Sequence, residues 1–207
     1  MTATTDGRVQ RGNETRRAVL LRAVEVASVE GLDALSIGRL AGDLGLSKSG
    51  VFASFGSKEE LQLAAVRAAQ RIFHDAVIAP VDAVAPAPGL ARLHALCDSW
   101  LTYSRGRVFP GGCFFYAVSA EYDARPGQLR DALAASGRAW EEHLRDMVRA
   151  ARAAGDLSAG TDAELLVFGL IGLLEAANAQ ALLYGDDTRY DLAAAGVAAL
   201  LRGAAAA

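Results

Sequence analysis

Residues 36–58 read SIGRLAGDLGLSKSGVFASFGSK, and this stretch carries the strongest structural signal in the chain. Ser36 is placed to cap a short helix in which Ile37, Leu40, Ala41 and Leu44 share one face at helical spacing. Gly45 interrupts it. Ser47 is placed to cap a second helix, where Val51 and Phe55 repeat four residues apart before a further break at Gly56 and Ser57. Two short amphipathic helices joined by a tight, glycine-containing turn are the sequence form of a helix-turn-helix, whose second helix enters the DNA major groove.

The rest of the composition predicts helix. Of 207 residues, 52% are apolar, 22% charged and only 7% aromatic, with five prolines. That length can bury one large core or two smaller ones. The net charge of −3 does not suit a protein coated along its length in nucleic acid. The charge is uneven, however: eight basic and six acidic residues lie through Lys58, a balance of +2 against −5 for the remainder. The only lysines are Lys48 and Lys58. Cys97 and Cys113 are too few for a disulfide framework or a structural zinc site. No secretory leader is visible ahead of Arg8, and the longest apolar run, 165–174, falls short of the ~20 residues of a membrane span. A cytoplasmic protein with no membrane partner is expected.

Residues 1–13, small and polar with Arg8 and Arg11, read as a flexible basic arm, either simply disordered or touching DNA. A helix is expected over 14–30, with Val19, Leu20, Ala23, Val24, Val26 and Ala27 as its apolar stripe. Arg16 and Arg17 would occupy its first turn, where cations oppose the helix dipole unless an anion lies nearby. Ser57 and Glu60 form a capping-box pattern for a helix over 58–78, and Pro80, Pro86 and Pro88 mark a loop after it. Further helices are expected over about 90–106 and 126–154, then from Thr161 or Asp162 to about 183, and from Asp187 or Thr188 to about 202.

Gly31, Ile37, Leu40, Ala41, Gly45, Leu46, Ser47, Phe52, Phe55 and the run Ser57, Lys58, Glu59, Glu60, Leu61 match something more specific. In order and spacing, over 19–61, they resemble the N-terminal domain of the TetR family of bacterial transcriptional regulators. The resemblance implies an all-α protein with a helix-turn-helix three-helix domain at 14–57 and a connecting helix at 58–79 that relays ligand binding. It also implies a larger ligand-binding and dimerisation domain at 80–207. The implied function is a ligand-responsive repressor that binds a near-palindromic DNA operator as a homodimer, paired through its last two long helices. A small apolar effector would release it.

On the reading helix, Lys48, Ser49, Gly50 and Ser54 are expected to face outward while Val51 and Phe55 face inward. Lys48 suits guanine acceptors or phosphate, and Gly50 permits close backbone approach. Ser36 and Arg39 suit phosphate contact, and Lys58 resembles the family's backbone-contacting lysine. With Arg16, Arg17 and Phe52 these form the candidate DNA-binding set. Two positions depart from the family pattern: tyrosine is usual at 52 and histidine frequent at 54. Phe52 lacks a hydroxyl and Ser54 is a small donor, so the usual grip on phosphate is weakened. For Phe52, packing in the core is favoured over DNA contact.

The run 165–174 is apolar all round and rich in small residues, with Gly169 and Gly172 inside it and Ala176, Ala177, Ala179 and Ala181 following. Burial between two subunits is favoured over burial within one. Trp100, Tyr103, Phe114, Tyr116 and Trp140, with Cys97, Cys113 and Met147, are candidates to line an apolar effector cavity that Asn178 helps orient. Ordinary core is the competing reading for each. An enzyme needs a constellation, and none stands out. His94 and Cys97 lie three apart beside Asp98, His74 and His143 have no companions at catalytic spacing, and no glycine-rich phosphate loop precedes a helix. No catalytic residue, metal ligand or cofactor is assigned. The alternatives are a small-molecule enzyme on a helical scaffold and a nonspecific architectural DNA-binding protein, the latter disfavoured by the modest charge.

Overall fold

The computed structural model describes residues 3–84 and 89–206, with side chains from residue 10 onward. Its regular structure is helical, as composition and periodicity predict: α1 (Ala3–Glu30), a 3-10 turn (Leu32–Ala34), α2 (Ile37–Asp43), α3 (Lys48–Phe55), α4 (Lys58–Phe73), a π-helical turn (His74–Ile78), α5 (Ala79–Val84), α6 (Leu90–Arg105), α7 (Phe114–Tyr122), α8 (Gln128–Ala153), α9 (Ala163–Tyr184) and α10 (Thr188–Ala204). Two compact units result. The first combines Met1–Gln70 with Phe109–Leu133, and the second combines Arg71–Val108 with Ala134–Ala207. This division differs from the boundaries at 57 and 79 read from sequence, because 109–133 joins the unit that holds the helix-turn-helix.

In the first unit, α1 buries Val19, Leu20, Ala23, Val24, Val26 and Ala27, the stripe its spacing predicts. The helix begins at Ala3, not near residue 14, so the segment expected as an arm is helical from Ala3 onward. No proline interrupts it, Gly7 and Gly12 cost only about 1 kcal/mol each, and Gln10 donates to Glu14 one turn on, at 3.2 Å. Met1, Thr2 and the side chain of Arg8 lie outside the described residues. Leu32, Leu35, Leu40, Val51 and Leu61 are fully buried beneath the hairpin. α7 packs on α1, with Phe109, Phe114 and Val118 in the core. The close approach occurs at Gly111, whose N–H donates to Ser28 Oγ at 3.1 Å. A Cβ there would collide with the Ser28 carbonyl oxygen, so only glycine fits.

The second unit starts with the last turn of α4 and the π-helical turn. Ser99 on α6 donates to the Val77 carbonyl in that turn at 2.8 Å. Pro80 then falls in α5, not in a loop, directly after the π-helical turn, in which Ala79 N–H donates to the His74 carbonyl. Pro86 and Pro88 lie outside the described residues. α6 packs against α9 and α10. The Asp162 carboxylate caps α9, accepting from Glu164 and Leu165 N–H at 3.0 and 3.1 Å, and Gly185 closes it in the left-handed region. α8 starts at Gln128, two residues after Pro126.

α9 is 22 residues long and mostly apolar, with a mean hydropathy of 1.7 over 18 residues, so by length and composition alone it could cross a membrane. Leu166, Val167, Leu170, Leu174, Ala177 and Ala181 are buried, while Leu165, Phe168 and Leu183 on the other face are 68%, 78% and 80% exposed. α10 repeats the division: Tyr190, Ala193, Val197 and Leu201 are inside, and Leu192 is outside.

Candidate nucleic-acid interface

The hairpin forms as its local signals dictate. Ser36 Oγ accepts from Arg39 N–H at 3.1 Å to cap α2, and Ser47 Oγ accepts from Gly50 N–H at 3.1 Å to cap α3. Gly45 turns between them at φ 63°, in the left-handed region. Ser57 Oγ accepts from Glu60 N–H at 3.1 Å at the start of α4. Each satisfies a backbone donor that a helix start leaves open. Val51 and Phe55 hold α3 to the unit from inside, and Lys48, Ser49, Gly50, Phe52 and Ala53 are exposed on its outside.

Phe52 overturns the packing expectation. Its ring is 55% exposed, because Val51 and Phe55 already fill the positions that face the core. Lys48 lays its stem across Gly38 of α2, where a Cβ would meet Lys48 Cε at 2.6 Å, so its ammonium stands beside the first turn of that helix. Ser54 is less available than its position suggests, since its hydroxyl donates to the Gly50 carbonyl at 3.2 Å.

Two arginines of the candidate set are engaged inside the unit. Arg39 makes a two-pronged pair with Glu30, at 2.6 and 2.5 Å, and this hydrogen bond holds the Glu30 carboxyl below its ordinary range. Arg16 is not in a first helical turn, because α1 begins at Ala3. It donates instead to the Ser54 carbonyl at the end of α3 and lies 4.4 Å from the centre of the Phe55 ring. A cation there complements the negative end of the α3 dipole, which supplies the anionic surroundings its position required. Arg17 is exposed.

Sequence reasoning missed the group that holds the hairpin's base. The Glu121 carboxylate accepts from the N–H groups of Leu32 and Asp33 at 2.7 and 2.9 Å. Tyr122 OH donates to Asp33 at 2.8 Å and Arg125 pairs with the same carboxylate at 2.6 Å. Gln62 donates to the Leu32 carbonyl at 2.9 Å and to Tyr122 OH at 3.3 Å. Lys58 Nζ donates to the Asp33 carbonyl at 2.7 Å. Thus the turn joining α1 to α2 is held from α4 and α7 together. The Tyr122 hydroxyl and Arg125 keep Asp33 below the usual carboxylate range, while burial and Asp33 push the Tyr122 phenol up. No local signal in 121–125 points to this role.

The effector candidates fall in different units. Cys113, Phe114 and Tyr116 belong to the first, where Phe114 packs against Phe109 and Phe115 and Tyr116 is 39% exposed. Cys97, Trp100, Tyr103, Trp140, Met147 and Asn178 belong to the second. There Phe73, which the sequence did not single out, makes edge-to-face contacts with Tyr103 at 5.4 Å and Trp140 at 5.2 Å. Trp140 stacks on His143, whose buried Nε2 has no hydrogen-bond partner among the described residues. Burial keeps that imidazole below its ordinary pKa. Asn178 is structural: its amide oxygen accepts from Ser104 at 2.9 Å, in a buried chain through Tyr190 to Arg107. Cys97 is fully buried and its thiol is pushed up to about 12, so it is a poor nucleophile. His94 pairs with Asp98 at 3.0 Å, and no group of three or more metal-ligating side chains occurs among the described residues.

Comparison with known proteins bears on both units. The family profile described as "Bacterial regulatory proteins, tetR family" matches residues 19–65, and that described as "Tetracyclin repressor-like, C-terminal domain" matches residues 89–197. A comparison with curated protein sequences gives no significant match. Among solved structures, a TetR transcriptional regulator from Chloroflexus aurantiacus shares 25% identity with a TM-score of 0.86, covering 95% of this chain and 98% of that one. A putative transcriptional regulator from Saccharomonospora viridis, solved with choline, shares 19% at a TM-score of 0.79, covering 93% and 98%. AibR, solved with isovaleryl coenzyme A and operator DNA, shares 19% at 0.72, covering 90% and 98%.

Proposed function

Because the chain belongs to the TetR family of transcriptional regulators, we propose that it is a repressor whose hold on a near-palindromic operator is released by a small apolar effector. Members of the family bind DNA operators, typically as dimers that respond to small molecules. The observation that carries the proposal is the outward face of α3, where Lys48, Ser49, Gly50, Phe52 and Ala53 stand exposed on a helix capped at its start and anchored from behind. A helix inserted by its N-terminal end brings such side chains to base edges.

The dimer forms through α9 and α10, whose exposed Leu165, Phe168, Leu183 and Leu192 make an apolar surface that a second copy would cover. Two reading helices then meet half-sites about 34–36 Å apart, or a multiple of that distance. The effector site lies in the second unit at Phe73, Trp100, Tyr103 and Trp140, with the His143 Nε2 as its polar contact. That two structural neighbours were solved with choline and with isovaleryl coenzyme A supports a small-molecule effector.

Fluorescence anisotropy on duplexes spanning the chain's own upstream region tests the proposal. One fragment should be bound well above random DNA, with affinity falling steeply as salt rises. Equal binding to random DNA would favour an architectural protein, and no binding would end the operator reading.

A further inference from the structure

The exposed ring of Phe52 has no task in the fold. α3 is fastened inward by Val51 and Phe55, at 0% and 6% exposure, and at its end by Arg16 on the Ser54 carbonyl. Phe52 stands outside this set with more than half its surface in water, four residues from Lys48 and adjacent to the exposed Ala53. The polar groups around it are largely committed. Ser47 Oγ caps Gly50 N–H, Ser54 Oγ bonds the Gly50 carbonyl, and Lys48 lies along Gly38. The outward face of α3 therefore presents one cation, one small hydroxyl at Ser49, which donates weakly to Ser47 Oγ at 3.5 Å, and an apolar pair, Phe52 with Ala53.

In the major groove the one apolar group on a base edge is the pyrimidine C5-methyl, which thymine carries and cytosine lacks unless methylated. A phenyl ring without a hydroxyl cannot hydrogen-bond a phosphate, but it gains by covering a methyl and shedding the water from both. Resting on the reading of α3 as the DNA-contacting helix, we propose that Phe52, supported by Ala53, reads a pyrimidine C5-methyl at one position of each operator half-site. The operator then contains a thymine whose methyl is recognised while its hydrogen-bonding edge is not. Phe52 is a specificity-determining residue.

The experiment starts with selection of bound duplexes from a randomised library by the full-length protein, which yields the half-site. Each thymine of that half-site is then replaced in turn by deoxyuridine, which deletes the methyl and nothing else. One replacement should weaken binding about four-fold per half-site, and about fifteen-fold when made in both, the worth of one buried methyl-sized group. Phe52→Ala should lose the same factor on the thymine duplex and become indifferent to the replacement. Phe52→Tyr should keep the sensitivity. Placing cytosine and then 5-methylcytosine at that position separates the two sources of the methyl: binding regained with the methylated base shows that the methyl itself is read, not thymine as a whole. Because Phe52 lies outside the core, the melting temperature of Phe52→Ala should match that of the parent, which excludes misfolding. Uniform loss in Phe52→Ala with no deoxyuridine effect would place the ring against sugar and phosphate and overturn the inference while leaving the operator reading intact. A selection that enriches no sequence would overturn both.

Discussion

Replacing Arg16 by glutamine separates two roles that one side chain cannot fill at once. In the structure its guanidinium donates to the Ser54 carbonyl and covers the Phe55 ring at 4.4 Å, joining α1 to the end of α3. A cation over an aromatic ring at a partly exposed site contributes roughly 0.5–1 kcal/mol. A cation at a helix C-terminus contributes about 0.3–1 kcal/mol, and a hydrogen bond from a charged donor about 1.5–3 kcal/mol. These overlap in one group and do not add, so a loss of about 2 kcal/mol is expected. For a chain of this length that lowers the melting temperature by roughly 4–8 °C. Operator affinity should fall because α3 is less firmly held, while the slope of log affinity against log salt stays unchanged, since every phosphate bound by the parent is still bound. Arg16→Lys, which keeps the charge but not the planar fork, should fall between. The assays are thermal melts followed by circular dichroism, and anisotropy titrations at four salt concentrations. An unchanged melting temperature with a salt slope shallower by about 1.8, the value of one neutralised phosphate in each half-site of the dimer, would refute this and make Arg16 a DNA-binding residue.

Lys48→Ala should weaken operator binding about ten-fold or more without altering the melting temperature, and equal affinity in a titration would remove Lys48 from the reading surface. Phe168→Asp places a charge where α9 is 78% exposed; size-exclusion chromatography should show a monomer, and a persistent dimer would move the pairing surface elsewhere. Tyr122→Phe deletes the hydroxyl between Asp33 and Gln62 and should cost about 1 kcal/mol, or roughly 2–4 °C, near neutral pH. Asp33 is held below its ordinary range, so its contribution is present above about pH 4 and disappears as pH falls through the lowered value. The gap between parent and variant should narrow in acid, and a gap that widens there would contradict the assignment.

Much of the hairpin is legible in the sequence alone. The serines at 36, 47 and 57 cap the helices their positions suggest, Gly45 makes the turn, and the apolar spacing of α1 and α3 identifies the buried residues. The start of α1 is not, because a flexible reading and a helical one differ there by little in local preference, and the helical setting of Pro80 is not, because proline's strong local preference against helix is overridden next to the π-helical turn. By residue type the effector candidates form one group, yet Cys113, Phe114 and Tyr116 belong to a different unit from Trp100 and Trp140, a division that residue type does not encode.

Where a residue's role depends on neighbours within four positions, the chain announces it, since caps and helical periodicity are short-range physics. The role of Arg16 depends on a carbonyl 38 residues away, and that of Asp33 on partners 89 and 92 residues away. Those pairings exist only once helices pack, as the burial of Val51 and Phe55 carries the end of α3 to Arg16 and the approach at Gly111 brings α7 onto α1. Phe52 belongs to the same class. Its identity is a departure visible in the sequence, but only the filled core behind it shows that the ring is left facing water.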